Sequence, residues 1–293
     1  MKTVRTPTLE IAYRESGPAE GAPVILLHGW PSDPHDYDGV APELAADGFR
    51  VLVPWLRGFG PTRFLSPDTP RSGQQAALGA DLRDFMDALH MRQALLAGYD
   101  WGGRGACVAA ALWPERVSGL VSLTGYNIQN IAASGRPAPA EQEHRYWYQW
   151  YFQTERGRAG LQQNRRDVCR LLWQLWSPNW HFDDPTFAAT AESFDNPDFV
   201  EVTIQSYRHR YANVPGDPAL EPLERRLADR PVISVPTIVL HGACDGVGPA
   251  AQSEGHRRYF TARYERRVVP VAGHFLPRET PEAVVQAIRD LRG

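Results

Sequence analysis

The aspartate at position 100 is the residue whose surroundings best suit covalent chemistry. Residues 98–103 read G-Y-D-W-G-G, after an apolar run at 94–97 and before an alanine-rich stretch at 104–112. This pattern predicts a buried strand, a tight turn and a helix, because glycines let a strand and a helix approach closely. A carboxylate on such a turn can attack an electrophilic carbon and forms an ester that water must later hydrolyse. The alternative is that Asp100 only caps the following helix.

A histidine and a second aspartate each follow a predicted strand. His274 comes after the apolar run at 268–271, and Asp245 comes after the strand that ends at 240–242. Catalytic groups gather at the carboxyl edge of parallel strands, where a carboxylate can hold an imidazole in one tautomer. Taken alone, one of nine histidines and an Asp-Gly turn pair have ordinary explanations. Together, the order Asp100, Asp245, His274 predicts a nucleophile, an orienting acid and a base.

The loop after an early apolar strand offers backbone donors. Residues 28–31 read H-G-W-P and follow the apolar run at 24–27. An amide of this loop and the amide after the nucleophile can stabilise negative charge on a carbonyl oxygen under attack. The donors predicted here are the backbone N–H groups of Trp30 and Trp101. The alternative is an ordinary His-Gly turn before a loop that begins with proline.

Strands and helices alternate in the outer parts of the chain. This alternation predicts an α/β fold, with a mostly parallel sheet covered by helices on both faces. From about residue 127 to 229 the aromatic residues crowd together without a strand signal, which predicts a helical insert. We therefore expect a core of residues 1–128 and 230–293 and a helical cap of residues 129–229. The predicted strands cover 9–15, 24–27, 50–53, 94–97, 117–123, 235–240 and 267–271, and the predicted helices cover 36–46, 74–89, 104–112, 249–259 and 281–291.

The amino-acid composition and the net charge exclude several classes of function. Of 293 residues, 43% are hydrophobic and 22% are charged, which is ordinary for a globular protein. A net charge of −3 gives no electrostatic footprint for nucleic acid or an anionic membrane. Three scattered cysteines without a C-x-x-C pair favour reduced thiols over disulfides or zinc. With no apolar run of membrane-spanning length, we expect a cytoplasmic protein that acts on a small molecule without cofactor or metal. The oligomeric state stays open.

The motifs resemble those of the α/β-hydrolase superfamily, in its aspartate-nucleophile branch of epoxide hydrolases and dehalogenases. H-G-W-P at 28–31 is similar to the H-G-x-P motif of epoxide hydrolases. G-Y-D-W-G-G at 98–103 resembles their nucleophile turn, and G-H-F at 273–275 resembles their histidine motif. The resemblance covers nearly all of the predicted core. One departure is W-L-R-G-F-G-P-T at 55–62, where relatives carry D-x-R-G-x-G-x-S, so we expect this loop to pack differently.

The insert is similar as well. Y-Q-W-Y-F-Q at 148–153 resembles a Y-Q-x-Y-F-Q segment of soluble epoxide hydrolases, whose first tyrosine points at the epoxide. The resemblance implies that Tyr148 and Tyr207 hold and protonate the epoxide oxygen, although aromatic clusters also serve packing. The five tryptophans of the insert and the adjoining tyrosines predict an apolar or aromatic substrate. The further substrate-binding candidates are His28, Pro31, Trp147, Trp150 and Tyr151.

Two other functions remain open, and a third is disfavoured. A dehalogenase would use the same triad, but haloalkane dehalogenases usually carry Asn at the position of Trp30. Fluoroacetate dehalogenases carry two arginines in a D-R-x-x-R motif at the nucleophile turn. In this sequence only the later arginine, Arg104, matches, and Trp101 replaces the first. A non-catalytic ligand-binding protein on the same fold is a further alternative. A serine-type esterase is disfavoured, because position 100 offers no hydroxyl group.

Overall fold

A nine-stranded sheet organises residues 1–292, the part of the chain that the computed structural model describes. The strands are β1 (Lys2–Arg5), β2 (Leu9–Ser16), β3 (Ala22–Leu27), β4 (Phe49–Pro54), β5 (Arg63–Phe64), β6 (Ala94–Gly98), β7 (Val117–Leu123), β8 (Thr237–Gly242) and β9 (Tyr264–Val269). Their order in the sheet is β1-β2-β4-β3-β6-β7-β8-β9, with β5 paired to β2. Strand β2 pairs antiparallel with β1, β4 and β5, and the other neighbouring strands pair in parallel.

Helices cover both faces of the sheet. Along β3, Val24 and Leu26 belong to one buried cluster, and Ile25 and Leu27 belong to the other. Alternate side chains of a strand point to opposite faces, so an unbroken apolar strand needs cover on both sides. The predicted α/β architecture is confirmed. The helices are α1 (Ala41–Ala46), α2 (Gln75–Ala88), α3 (Asp100–Leu112), α4 (Ala140–Arg145), α5 (Trp147–Tyr151), α6 (Glu155–Trp176), α7 (Asp184–Ala191), α8 (Phe199–His209), α9 (Glu221–Ala228), α10 (Leu276–Glu279) and α11 (Pro281–Leu291).

The chain between β7 and β8 is helical. It carries α4 to α9 and no strand of the sheet, all within the described residues. Side chains join this insert to the rest of the protein, with the Trp55 Nε1 donating to Ser193 Oγ at 3.0 Å and Arg71 paired with Asp198 at 2.9 Å. A helical insert was predicted here, and its division as a cap of residues 129–229 stays a prediction. None of the helices within residues 1–292 is both long and apolar enough to cross a membrane.

Several predicted elements differ from the structure at their ends or in type. The helix predicted over 36–46 is a 3-10 helix at Pro34–Tyr37 followed by α1, because Pro42 near the start of α1 favours a new helix over continuation of the old one. The helix predicted over 249–259 is a 3-10 helix at Ala250–Tyr259. Strand β1 was not predicted, since its alternating charged and exposed residues carry no apolar signal. Strand β9 begins at Tyr264 and ends before Pro270.

Replacement of Gly102 by alanine tests the close contact between α3 and β3. A Cβ at Gly102 would collide with the carbonyl oxygen of Leu27. Alanine favours a helix interior over glycine by ~1 kcal/mol, but overpacking costs about 1–3 kcal/mol and should outweigh that gain. We expect Gly102→Ala to lower the free energy of unfolding measured in urea. Gly135→Ala is the control, because a Cβ there meets no heavy atom within 4 Å. Equal stability of the two variants would contradict the argument.

Candidate active site

Asp100 lies on the turn between β6 and α3 in a strained conformation. Its φ is 48°, in the left-handed region that few residues other than glycine adopt. The N-cap residue of α3 is Tyr99 rather than Asp100, and Asp100 Oδ1 accepts the Trp30 N–H at 2.8 Å. Gly29 makes this approach possible, because a Cβ there would lie 2.8 Å from the Asp100 Cβ. The carboxylate therefore faces the loop after β3, and the capping alternative does not describe it.

His274 and Asp245 meet beside Asp100. His274 Nδ1 lies 2.9 Å from Asp245 Oδ2, and Asp245 Oδ1 accepts the N–H groups of Val247 and Gly248 at 2.7 and 3.1 Å. Since Nδ1–H donates to the carboxylate, Nε2 carries the free lone pair. His274 Nε2 is buried, has no hydrogen-bond partner within residues 1–292, and lies 4.0 Å from Asp100 Oδ2. The structure thus brings the three predicted residues together in one cluster.

The Asp245 carboxylate and the His274 imidazole shift each other's pKa. Burial alone would lower the pKa of His274, but the Asp245 charge and hydrogen bond, helped by the Asp100 charge, raise it above the usual value. Burial alone would raise the pKa of Asp245, but the His274 charge and hydrogen bond hold it below the usual value. The arrangement stabilises an imidazolium next to two carboxylates.

Two further residues hold the loop of His274. Ser177, which ends α6, accepts the backbone N–H groups of His274 and Phe275 at 2.8 and 3.2 Å. Glu279 accepts the N–H groups of Gly273 and Phe275 at 2.8 and 3.0 Å, and also accepts the Ser177 hydroxyl. Both were missed in the sequence. Glu279 follows Phe275 by four residues, a spacing that places a carboxylate over the preceding turn, whereas nothing local marks Ser177.

Trp30 links the core to the insert above Asp100. Its indole Nε1 donates to Thr203 Oγ1 of α8 at 2.9 Å. Its ring lies 5.2 Å from the ring of Tyr207 and 6.0 Å from that of Tyr148. The Trp30 amide, predicted as an oxyanion donor, donates to Asp100 Oδ1 at 2.8 Å. No hydrogen bond positions the Trp101 amide in the same way within residues 1–292, and the Trp101 Nε1 is buried without a partner.

A cavity of about 280 Å³ opens at this cluster. Tyr148 lines it, and its hydroxyl accepts the Gln149 amide at 2.9 Å. Tyr207 packs on Tyr148 at 5.4 Å between ring centroids. Burial raises the pKa of both phenols, so both keep their protons at neutral pH. Within residues 1–292 no three His, Cys, Asp or Glu side chains are grouped to hold a metal ion. The cavity wall includes Asp100, Arg104, Tyr148, Arg210, Asp245 and His274.

The remaining predicted substrate-binding residues do not line this cavity. His28 is buried with Nδ1 against the Gly29 carbonyl and Nε2 accepting the Leu56 N–H, so it supports the loop. The Pro31 carbonyl accepts the Trp173 Nε1.

The three aromatic candidates lie farther out in the insert. Trp150 is 38% exposed and donates to Glu143. Trp147 lines a separate surface groove, and Tyr151 packs between Trp147 and Gly160. These aromatics pack against other residues of the insert, and their role in substrate binding stays a prediction.

In the loop at residues 55–62, whose motif departs from that of the relatives, Arg57 and Thr62 have hydrogen-bond partners. Arg57 binds Asp81 through two contacts of 2.6 Å. The Thr62 hydroxyl donates to the Trp55 carbonyl at 2.8 Å and accepts the Ala12 N–H at 3.1 Å. The hydroxyl of Thr62 thus joins this loop to strand β2 at the position where the departing motif has threonine in place of serine.

Comparison with known proteins fits this geometry. The family model described as the alpha/beta hydrolase fold matches residues 22–280. The chain belongs to this α/β hydrolase family. A structure of a Klebsiella pneumoniae protein, provisionally named an epoxide hydrolase, superposes on this α/β hydrolase with a TM-score of 0.96 and 50% identity, covering 99% of this chain and 96% of that one. The predicted family and fold are confirmed.

Curated relatives match over shorter stretches. A haloalkane dehalogenase from Mycobacterium marinum is 34% identical over 125 residues, which are 41% of this α/β hydrolase and 40% of the relative. Epoxide hydrolase B from Mycobacterium tuberculosis is 30% identical over 159 residues, 50% of this chain and 44% of that protein. The match thus spans less than half the length of either relative.

The titration of His274 tests the coupling to Asp245. We expect the His274 midpoint, followed by NMR of the imidazole, to lie above the usual value of about 6.5. In Asp245→Asn the raising charge is lost and burial remains the largest influence, so the midpoint should fall below that value. Asp68→Asn, on an exposed loop, should leave it unchanged. An unshifted midpoint in Asp245→Asn would exclude the coupling.

Proposed function

We propose that the protein is an epoxide hydrolase that opens its substrate through an ester on Asp100. The observation that carries this proposal is the placement of a carboxylate and a proton-bearing phenol, Asp100 and Tyr148, on one cavity with an unpartnered histidine nitrogen. A carboxylate can form the ester, a neutral phenol can donate a proton to the epoxide oxygen, and a free imidazole nitrogen can activate water. The names of the relatives support the same class.

In the first step, Asp100 attacks one ring carbon of the epoxide. Oδ1 is held by the Trp30 N–H, so Oδ2 is the oxygen free to form the new C–O bond. The C–O bond of the ring breaks as Tyr148, assisted by Tyr207, gives its proton to the leaving oxygen. The product is a hydroxyalkyl ester on Asp100, and the phenolate regains its proton later in the cycle.

In the second step, water hydrolyses the ester. His274 Nε2 takes a proton from water, and Asp245 stabilises the resulting imidazolium through Nδ1. The hydroxide adds to the ester carbonyl carbon, and the Trp30 N–H stabilises the negative charge on Oδ1. Collapse of this intermediate breaks the ester C–O bond, and the departing diol oxygen takes the proton from the His274 imidazolium. The proton that remains on the Asp100 carboxyl returns to the Tyr148 phenolate, which restores the starting carboxylate, imidazole and phenol.

A dehalogenase is the second candidate, and one observation favours it. The Trp101 Nε1–H is buried without a partner, and such a donor can bind a leaving halide. The Trp30 Nε1–H is already used by Thr203, however, so only one of these two indole donors is free for a halide. Parallel assays for diol from styrene oxide and for halide from haloalkanes and fluoroacetate separate the two. Diol without halide supports the hydrolase, and halide without diol overturns it.

His274→Gln should trap the ester. Without a base the first step still occurs, but hydrolysis of the ester should slow by roughly 10²–10⁴-fold. Intact-protein mass spectrometry after incubation with styrene oxide should then show a gain equal to one epoxide. The double variant Asp100→Ala/His274→Gln should show no adduct. An adduct that persists without Asp100 would place the covalent bond elsewhere, and turnover without either residue would indicate a different mechanism.

The two phenols should matter for epoxides and not for halides. Tyr148→Phe and Tyr207→Phe each remove a proton donor with little change in volume, so ester formation from styrene oxide should slow by about 10²-fold or more in the double variant. Tyr151→Phe is the matched control, because the Tyr151 ring packs on Trp147 and Phe152, whereas the Tyr207 ring packs on Tyr148 and Trp30 beside Asp100. Rates are measured as single-turnover ester formation in the His274→Gln background. An unchanged rate in the double variant would remove the phenols from the mechanism.

A further inference from the structure

Arg104 is a buried cation without a partner in the cavity wall. It lies one helical turn after Asp100 on α3, with 8% of its surface exposed. No protein atom within residues 1–292 accepts a hydrogen bond from it, and its Nε and Nη1 are fully buried. Burial, with the neighbouring Arg210 charge, lowers the pKa of Arg104 to about 10, so the group stays cationic at neutral pH. Buried donors of this kind are nearly always satisfied in folded proteins, so this one requires an explanation.

Arg210 reaches the same cavity from the insert. It follows α8, three residues after Tyr207, and its guanidinium carbon lies 4.6 Å from the centre of the Tyr207 ring. Nη1 donates to Gln149 Oε1 at 3.1 Å, which leaves Nε and Nη2 buried without acceptors. Sequence reasoning missed Arg210, although a spacing of three on a helix places it on the face of Tyr207. Two guanidinium groups with free donors therefore share one cavity.

Other buried arginines of the same fold have carboxylate partners. Arg57 is paired with Asp81 at 2.6 Å, and Arg278 is paired with Asp36 at 2.5 Å. In the cavity, by contrast, no carboxylate within residues 1–292 forms an ion pair with Arg104 or Arg210. Asp245 binds His274 and two backbone amides, and Asp100, bound to the Trp30 amide through Oδ1, acts on Arg104 only through its charge. Unpaired buried charges cost stability, and two like charges in one cavity cost more. An anion from outside the chain would supply the missing acceptor.

We propose that the substrate is a small epoxide bearing a carboxylate, which Arg104 and Arg210 bind while Asp100 attacks the ring. This inference rests on the proposed function and names its substrate class. A guanidinium fork matches the two oxygens of a carboxylate, and both arginines keep such donors free. A volume of about 280 Å³ suits a molecule of a few carbons. The charged cavity wall favours this substrate class over the apolar or aromatic substrate expected from the sequence. The tryptophans of the insert, which suggested that expectation, lie outside the cavity wall.

Binding of an unreactive acid tests the anion site without requiring turnover. Propionate should bind to the wild-type protein in calorimetry and raise its melting temperature, and propionamide, its neutral isostere, should do neither. Arg104→Met and Arg210→Met should abolish the propionate effect. Arg104→Lys, which keeps the charge but loses the fork, should weaken it. Equal responses to propionate and propionamide would overturn the inference.

The control is Arg230→Met. Arg230 also has a buried, unpartnered Nε and lies 4.5 Å from the ring of Tyr259, but it does not line the cavity. This variant should keep the full response to propionate. Loss of an unpaired buried charge should leave Arg104→Met at least as stable as the wild type, so loss of binding there cannot be ascribed to unfolding. Loss of the response in Arg230→Met as well would overturn the assignment to Arg104 and Arg210.

Turnover of a matched pair separates the substrate class from the reaction. We expect the kcat/KM for glycidate to exceed that for glycidamide by roughly 10- to 100-fold, the range given by one or two charge-assisted hydrogen bonds. This ratio should fall toward one in Arg104→Met, whereas a general electrostatic role of Arg104 would change both substrates alike. Diol from glycidamide and styrene oxide with no preference for glycidate would overturn the inference and leave the hydrolase intact. Halide from fluoroacetate with no diol from any epoxide would overturn both.

Discussion

The hydrogen bond between the Trp30 amide and Asp100 is the contact on which the site depends. It exists only because the turn, helix α3 and the loop after β3 come closer than side chains would allow. Gly29 lies against the Asp100 Cβ, and Gly102 lies against the Leu27 carbonyl. The left-handed backbone of Asp100 is a strained state that such packing maintains, and strain of this kind is common where a reactive group must be held outward. The glycines thus set the position of the carboxylate before any catalytic partner is considered.

The insert completes this geometry from the other side. Thr203 accepts the Trp30 indole N–H, and Ser177 accepts the amide of His274. These buried hydrogen bonds join the insert to Trp30, which contacts Asp100, and to His274. Removal of one partner would leave a buried donor unsatisfied, which costs about 1–3 kcal/mol. The helical segment therefore contributes to the alignment of the cluster as well as covering it.

The sequence predicted those parts of the site that depend on local pattern. Asp100, Asp245 and His274 each follow an apolar strand, and parallel strands end at the same edge, so their meeting could be anticipated. The contacts of Ser177 and Arg210 could not be anticipated from local pattern, because they depend on how helices of the insert pack against the core. The spacing of Arg210 from Tyr207 shows only that the two share a helix face, not that this face meets the cavity. The exposure of Trp150 could not be anticipated for the same reason, because composition shows that aromatic residues cluster but not which faces of the helices they occupy. Edge strand β1 was missed because its exposed residues carry no apolar signal.

The aromatic side chains around the charged cavity strengthen the electrostatic interactions inside it. Trp30, Trp176 and Phe152 pack around Tyr148 and keep water from one side of the cluster. Charges in such surroundings interact more strongly than they do in water, so an unpaired guanidinium is costly and a bound carboxylate is held firmly. A protein selected only for stability would replace Arg104 with an apolar side chain of similar length. The presence of two such cations beside Asp100 is best explained by a ligand that supplies the missing negative charge.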